Sequence, residues 1–217
     1  MKLENIKVYD LEESLVASGY PMRTGLIQRE PDEKDIKRGL ALTKASNGNG
    51  AHAQWLTGVR VAFDLTCTNK MWVEAERYRF LEFVSSQSTM HRITKFDLTN
   101  QYNKYVDRRV IDIMEDKVFQ YNKLAETVNL LPKNISEVMR REYTDRLKEL
   151  YLEILYTNPA GFELTARLTT NYRCLLNIYM QRHDHRLPEW CKFCEKLLEL
   201  PMFPEIVEAY RSDKTEI

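Results

Sequence analysis

The chain is short of glycine and proline, with seven of each in 217 residues. Its glycines form neither G-x-G-x-x-G nor a Walker pattern, which excludes the common Gly-rich phosphate cradles. Cysteine is sparse too: Cys67, Cys174, Cys191 and Cys194 are too few and too unevenly spaced for a secreted disulfide scaffold. No apolar run approaches the roughly 18–20 residues of a spanning helix. The amino terminus, Met1-Lys2-Leu3-Glu4-Asn5, is polar and mixed in charge, unlike a secretory signal. A reducing, cytoplasmic setting without membrane contact is therefore expected. Neither charge is in excess, because 32 Lys and Arg balance 32 Asp and Glu. Global charge thus gives no reason to expect a nucleic-acid polymer or an anionic membrane as partner. Internal repeats and low-complexity segments are also lacking.

What is present suits a globular chain. Apolar residues make up 43% and charged residues 29%, enough apolar material to bury a core and too much for disorder. Residues 1–31, with Gly19, Pro21, Gly25 and Pro31, read as an irregular lead-in, followed by a short helix over 33–44. Ser46-Asn47-Gly48-Asn49-Gly50 is a strong turn signal. Within 55–68, Val59, Val61, Phe63 and Leu65 alternate with Arg60, Ala62 and Asp64, the period-2 pattern of a strand with one buried face. From Lys70 to Phe80 the spacing of Met71, Trp72, Ala75 and Tyr78 is helical, and 83–90 is a small polar strand or loop. The rest predicts helices over 99–128 (split near Lys117), 135–156 (capped by Asn134 or Ser136), 161–182 and 188–199, with Pro188 at a first helical position. One strand region and a helix-rich second half indicate an α+β fold with a small antiparallel sheet.

Two segments concentrate chemistry. The first runs from Glu74-Ala75-Glu76-Arg77-Tyr78-Arg79 to Ser85-Ser86-Gln87-Ser88-Thr89-Met90-His91-Arg92. Its arginines offer planar, permanently charged donors for a phosphate or a polarised ring carbonyl, and its hydroxyl run offers further donors. It equally fits an exposed helix face with Glu–Arg pairs. The second is Thr169 to Arg182, where Asn171 and Asn177 stand out because Asn is a poor helix former and implies partners; on a helix Asn171 and Arg182 share one side. Polar satisfaction of a core is the competing reading. A third group, His183-Asp184-His185 with Cys191 and Cys194, has zinc-ligand residue types. Only five residues separate its two pairs, against a dozen or more in structural sites, and buried helical cysteines are the preferred reading.

Together the two segments resemble the flavin-dependent thymidylate synthases, the ThyX family. Arg77-Tyr78-Arg79 stands where that family has R-H-R of the signature R-H-R-x7-S. His52, the strand over 55–68 and the helix from Lys70 reproduce the layout that leads into the signature. Thr169, Asn171, Arg173, Leu175, Asn177 and Arg182 follow the later pattern T-x-N-x-R-S-L-x-N-F-x-x-x-R. The resemblance covers roughly 46–92 and 159–198, and implies a single domain over 1–217 with 1–45 as a lead-in.

By that resemblance the protein is expected to methylate dUMP to dTMP, a step of nucleotide biosynthesis. Methylenetetrahydrofolate would donate the carbon, reduced FAD the hydride, and NADPH would reduce the flavin. The implied flavin contacts are His52, Arg77, Tyr78, Arg79, Asn171 and Asn177. The implied substrate contacts are Glu74, Gln87, Ser88, Arg92 and Arg182, with Arg182 and Ser88 taking part in the reaction; Arg182 would stabilise negative charge on the activated ring. The family assembles as homotetramers whose sites combine several subunits. The chain departs from the pattern at Tyr78 (family His), Gln87 (family Ser), Glu74 (family Gln), Leu155 (family Arg) and Arg186 (family His). The flavin-side pattern is thus better kept than the dUMP-side pattern, so a relative with an altered pyrimidine substrate, or a non-catalytic flavin- or nucleotide-binding protein, are the alternatives.

Overall fold

The computed structural model describes residues 1–25, 29–47 and 52–212. In chain order, β1 (Lys2–Tyr9) leads into α1 (Leu11–Ala17) and α2 (Glu33–Ala45). A 3-10 helix at Ala53–Thr57 precedes β2 (Arg60–Thr68), α3 (Asn69–Ala75), β3 (Glu82–Ser86) and the short α4 (Thr89–Arg92). The long α5 (Arg108–Asn129) and α6 (Glu137–Thr157) follow, then β4 (Glu163–Asn171), α7 (Tyr172–Arg182), α8 (Pro188–Leu197) and α9 (Phe203–Arg211). The strands form one four-stranded antiparallel sheet in the order β1-β2-β4-β3. This is the α+β architecture expected.

The chain divides into two compact units: Met1–Thr66, Met71–Ser85 and Ala166–Ile217 make the first, Cys67–Lys70 and Ser86–Thr165 the second. In the first, β2 buries Val61, Phe63 and Leu65, the alternation read from sequence. Phe63 meets Phe193 at 5.9 Å between ring centroids, and Phe193 meets Trp190 edge-on at 5.8 Å. Each such fully buried side chain contributes about 1.5–3 kcal/mol. Helix α2 begins with a reciprocal capping box: Asp32 accepts from the Asp35 N–H while Asp35 accepts from the Asp32 N–H. Gly39 lets α2 close on its neighbours, since a Cβ there would sit 2.8 Å from Leu15 Cδ2 and 3.3 Å from Trp55 Cζ2. In the second unit, α5 and α6 pack around Ile93, Leu98, Met114, Val118, Ile154 and Phe162. Phe96 and Tyr102 meet Phe162 edge-on, and Lys117 pairs with Glu153 at 2.8 Å.

Several boundaries differ from the sequence reading. The lead-in is structured: β1 pairs antiparallel with β2, with a register shift between Glu4 and Lys7. Asn5 takes a left-handed backbone there (φ 50°), which Asn tolerates. It is held by Asp64, which accepts from Asn5 Nδ2 at 2.5 Å, and by Arg167 donating to the Asn5 carbonyl at 2.9 Å. The expected helix over 161–182 is a strand followed by a helix; Ala166, Leu168 and Thr170 are buried at alternate positions before α7 begins. Helix α5 is continuous past Lys117, and α3 ends at Ala75 rather than Phe80. Of the turn signal at 46–50, Gly48, Asn49 and Gly50 lie outside the described residues.

Candidate functional site

A cavity of about 1010 Å³ opens in the first unit. Most of its wall comes from the 3-10 helix at Ala53–Thr57, the turn after α3, the end of β4 and α7, with Ser46, Arg60, Glu82 and Tyr210 completing it. Of the sequence-predicted flavin contacts, Arg77, Tyr78, Arg79, Asn171 and Asn177 all line it. His52 is exposed and directly precedes Ala53 and Gln54, which line the wall.

The local folding explains the placement. Asn171 ends β4 and caps α7: its backbone is extended (φ −138°, ψ 165°) and its Oδ1 accepts from the Cys174 N–H at 2.9 Å. Asn171 and Arg182 therefore do not share a helix side, because Asn171 lies before the helix. Its Nδ2 remains as a donor. Asn177 is exposed on α7, its Oδ1 accepting from Gln181 Nε2 at 3.0 Å. Tyr78 is buried on the wall, and its hydroxyl is spent internally, donating to Gln181 Oε1 at 3.0 Å and accepting from Arg182 Nε at 2.8 Å.

The electrostatics favour an anion. Arg60, Arg77, Arg79 and Arg173 line the cavity against one carboxylate, Glu82. Among the described residues Arg60, Arg77 and Arg79 are in no ion pair; Arg79 lies 5.5 Å over the Phe80 ring. Thr170 Oγ1 on the same wall is buried, with no nitrogen or oxygen partner among the described residues and the Cys174 thiol beside it. A sulfur contact of that kind is weak and leaves the hydroxyl available to a ligand. Burial pushes the neighbouring Cys174 thiol up, so it is a poor nucleophile there. Sequence reasoning missed Arg60, Thr170 and Glu82; strand alternation past Arg167 is the signal that would have placed Thr170 inside.

The predicted substrate residues do not gather at this cavity. Glu74 and Arg182 form a separate ionic cluster in the first unit. Glu74 Oε2 accepts from Arg182 Nη1 at 3.1 Å and from Trp190 Nε1 at 3.0 Å. Arg182 Nη1 also lies 2.7 Å from His185 Nε2, and its guanidinium sits 5.1 Å over the Trp190 ring. Gln87, Ser88 and Arg92 line a smaller cavity of about 260 Å³ in the second unit. Gln87 Oε1 accepts from the Thr165 N–H at 2.9 Å. Ser88 precedes α4 without using its hydroxyl as a cap.

The His/Cys group points its atoms elsewhere. His183 stacks on Tyr179 at 5.4 Å, the Leu187 N–H approaches His185 Nδ1 at 3.2 Å, and Cys191 Sγ donates to the His185 carbonyl at 3.2 Å. Among the described residues no three His, Cys, Asp or Glu side chains gather as a metal site. Cys67, Cys174 and Cys194 are buried while Cys191 is half-buried, and burial pushes Cys194 up to about 12. A thiol titration of the native protein at pH 8 is expected to modify Cys191 first, with the other three reacting only on unfolding. Rapid modification of two or more native thiols would contradict this packing.

No protein-family model matches the chain, and no curated protein matches it in sequence. Solved structures match it in fold. Flavin-dependent thymidylate synthase ThyX from Helicobacter pylori, complexed with FAD and dUMP, superposes with a TM-score of 0.61 at 16% identity, covering 97% of this chain and 98% of that one. A UMP/dUMP methylase, PolB from Streptomyces cacaoi, bound with 5-Br dUMP, gives a TM-score of 0.64 at 13% identity, covering 96% and 94%. The chain thus has the fold of these enzymes over nearly its whole length. No helix among the described residues is long and apolar enough to cross a membrane.

Proposed function

We propose that the chain binds FAD in the first-unit cavity and methylates dUMP or a close pyrimidine nucleotide. The observation that carries this reading is the convergence of Arg77, Arg79, Asn171 and Asn177 on one cavity whose arginines outnumber its carboxylate, in a chain with the ThyX fold. The donor set fits the group. Arg77 and Arg79 supply charge for a pyrophosphate, while the Asn171 amide nitrogen and the buried Thr170 hydroxyl, which has only the Cys174 thiol beside it, supply neutral donors. When bound, reduced FAD supplies the hydride that completes the methyl group.

The other parts of the reading rest on the sequence resemblance: methylenetetrahydrofolate as carbon donor, NADPH as reductant, a homotetrameric assembly and a cytoplasmic location. Ser88 and Arg92 hold the nucleotide phosphate, and Gln87 contributes its amide N–H₂, since its Oε1 is occupied by Thr165. Arg182 stabilises charge on the ring. One observation favours an altered pyrimidine over dUMP itself: Arg182 already shares its charge with Glu74, where the family has a neutral Gln.

Purified protein is expected to be yellow or to take up added FAD. Arg77→Ala and Arg79→Ala should each weaken FAD binding about 10–100-fold, the loss of one charge-assisted contact. A colourless protein that takes up no FAD would remove the proposal. Flavin oxidation in the presence of methylenetetrahydrofolate, compared between dUMP and other pyrimidine nucleotides, identifies the substrate; FAD binding without turnover on any of them would leave a binding protein.

A further inference from the structure

Asn177 lines the flavin cavity, but which end of its amide meets the ligand is set from behind. Its side chain begins a run of hydrogen bonds that leads away from the cavity. Asn177 Oδ1 accepts from Gln181 Nε2 at 3.0 Å, Gln181 Oε1 accepts from the Tyr78 hydroxyl at 3.0 Å, and the Tyr78 oxygen accepts from Arg182 Nε at 2.8 Å. All four residues belong to the first unit. Gln181 is the member that neither the flavin contacts nor the nucleotide contacts include, and the family pattern leaves its position open.

The polarity of the run follows from its last member. An arginine Nε–H can only donate. The Tyr78 oxygen therefore accepts on that side, and its single hydrogen goes to Gln181. Gln181 must turn its carbonyl to that hydrogen and its N–H₂ to Asn177. Asn177 in turn uses its carbonyl on Gln181 and keeps its N–H₂ for the cavity. The far end is fixed: Arg182 bonds Glu74 Oε2 at 3.1 Å and lies over Trp190, and the buried Tyr78 ring meets Trp190 edge-on at 5.9 Å. A buried hydroxyl left without an acceptor is costly, so Tyr78 goes on donating to Gln181 even where Arg182 is truncated. Gln181 and Asn177 are exposed and water competes for their atoms, so one such bond changes affinity by about fivefold.

We propose that Gln181 is a positioning residue for FAD: anchored by Tyr78, it holds Asn177 with its N–H₂ toward the cavity. This rests on the flavin reading of that cavity. The flavin atom at Asn177 is accordingly an acceptor, a ring carbonyl, ring nitrogen or phosphate oxygen. Tyr78, whose hydroxyl is engaged internally, serves the flavin through Gln181.

FAD titration of the full chain, read by flavin fluorescence, tests this. Gln181→Glu keeps an acceptor for Tyr78 but offers Asn177 no donor. Asn177 then turns its N–H₂ to the new carboxylate and its carbonyl to the flavin, and FAD affinity should fall about tenfold. Gln181→Leu leaves Asn177 free to take either orientation and should weaken FAD only about threefold. Asn177→Ala alone should weaken it about fivefold. The double variant decides. With Asn177→Ala in place, Gln181→Glu should cost less than about a further twofold, because no amide is left to turn. Melting temperature should stay within about 2 °C of wild type in the Gln181 variants, since the position is exposed. A loss from Gln181→Glu that persists in full beside Asn177→Ala is charge repulsion and overturns the proposal. So does FAD affinity unmoved by Gln181→Glu or by Asn177→Ala in a protein that binds FAD, and the flavin reading then stands without it. Wild-type protein that takes up no FAD overturns both.

Discussion

Asp35→Ala is expected to lower the unfolding free energy by about 3–5 kcal/mol, the usual cost of removing one partner from a buried ion pair. In a chain of this size that corresponds to about 10 °C in melting temperature. Asp35 is fully buried near the start of α2. It accepts from the Asp32 N–H at 3.1 Å and from Arg29 at 2.6 Å, is bonded by Arg38, and lies 3.6 Å from Arg23. Removing it leaves three guanidinium groups crowded together and opens the capping box. The cluster already carries one unsatisfied donor, the buried Arg23 Nη1, so it has no spare acceptor to offer. Asp35→Asn keeps the shape and one acceptor and should lose roughly half as much.

The pH dependence follows from the same contacts. Burial pushes the Asp35 carboxyl up, but the bonds from Asp32, Arg38 and Arg29 outweigh it and hold the group far below the ordinary carboxylate range. A carboxylate held lower in the folded chain stabilises fully above its unfolded value, about 3.9. That stability is lost as pH falls from there toward the folded value. Denaturant unfolding of wild type and Asp35→Ala should therefore differ by the full margin at pH 7 and at pH 5.5, with the gap closing below about pH 3. A difference under about 1 kcal/mol at neutral pH would show that the arginines do not depend on this carboxylate.

The unequal legibility of the fold has local causes. Strand β2 was readable because Val61, Phe63 and Leu65 all enter one core. Strand β1 was not, because an edge strand buries little and the register shift near Asn5 breaks its alternation. At 161–182 Leu175, Ile178 and Tyr179 have helical spacing, whereas the buried Ala166, Leu168 and Thr170 before them are spaced by two. Asn171 marks the change of period; its value as a cap, rather than as a helical residue with partners, was the information missed. In the site, Arg77, Arg79, Asn171 and Asn177 were paired only through a family pattern, since residues far apart in sequence carry no local signal of convergence. The same holds for Glu74 and Arg182, which meet across 108 positions.

That meeting gives the second large effect. Arg182→Met is expected to cost about 3 kcal/mol, while leaving FAD binding intact because Arg182 does not line the cavity. The guanidinium bonds Glu74 and Tyr78, and lies over Trp190; truncating it takes the arginine's charge away from a carboxylate that is only 14% exposed. Trp190 Nε1 still donates to Glu74 at 3.0 Å, which keeps the cost near the lower end of the range for buried pairs. Glu74→Gln removes that buried negative charge, so the double variant should be more stable than Arg182→Met alone, with a coupling energy of about 1–3 kcal/mol. The single variants separate structure from recognition. If Arg182 serves the pyrimidine ring, Arg182→Met abolishes nucleotide binding, whereas Glu74→Gln strengthens it by returning the arginine's full charge to the ligand. Additive stabilities would show that the pair is not coupled. Nucleotide affinity indifferent to both variants would confine Arg182 to holding α7 against Glu74 and Trp190, and the ring would have to find its counter-charge elsewhere.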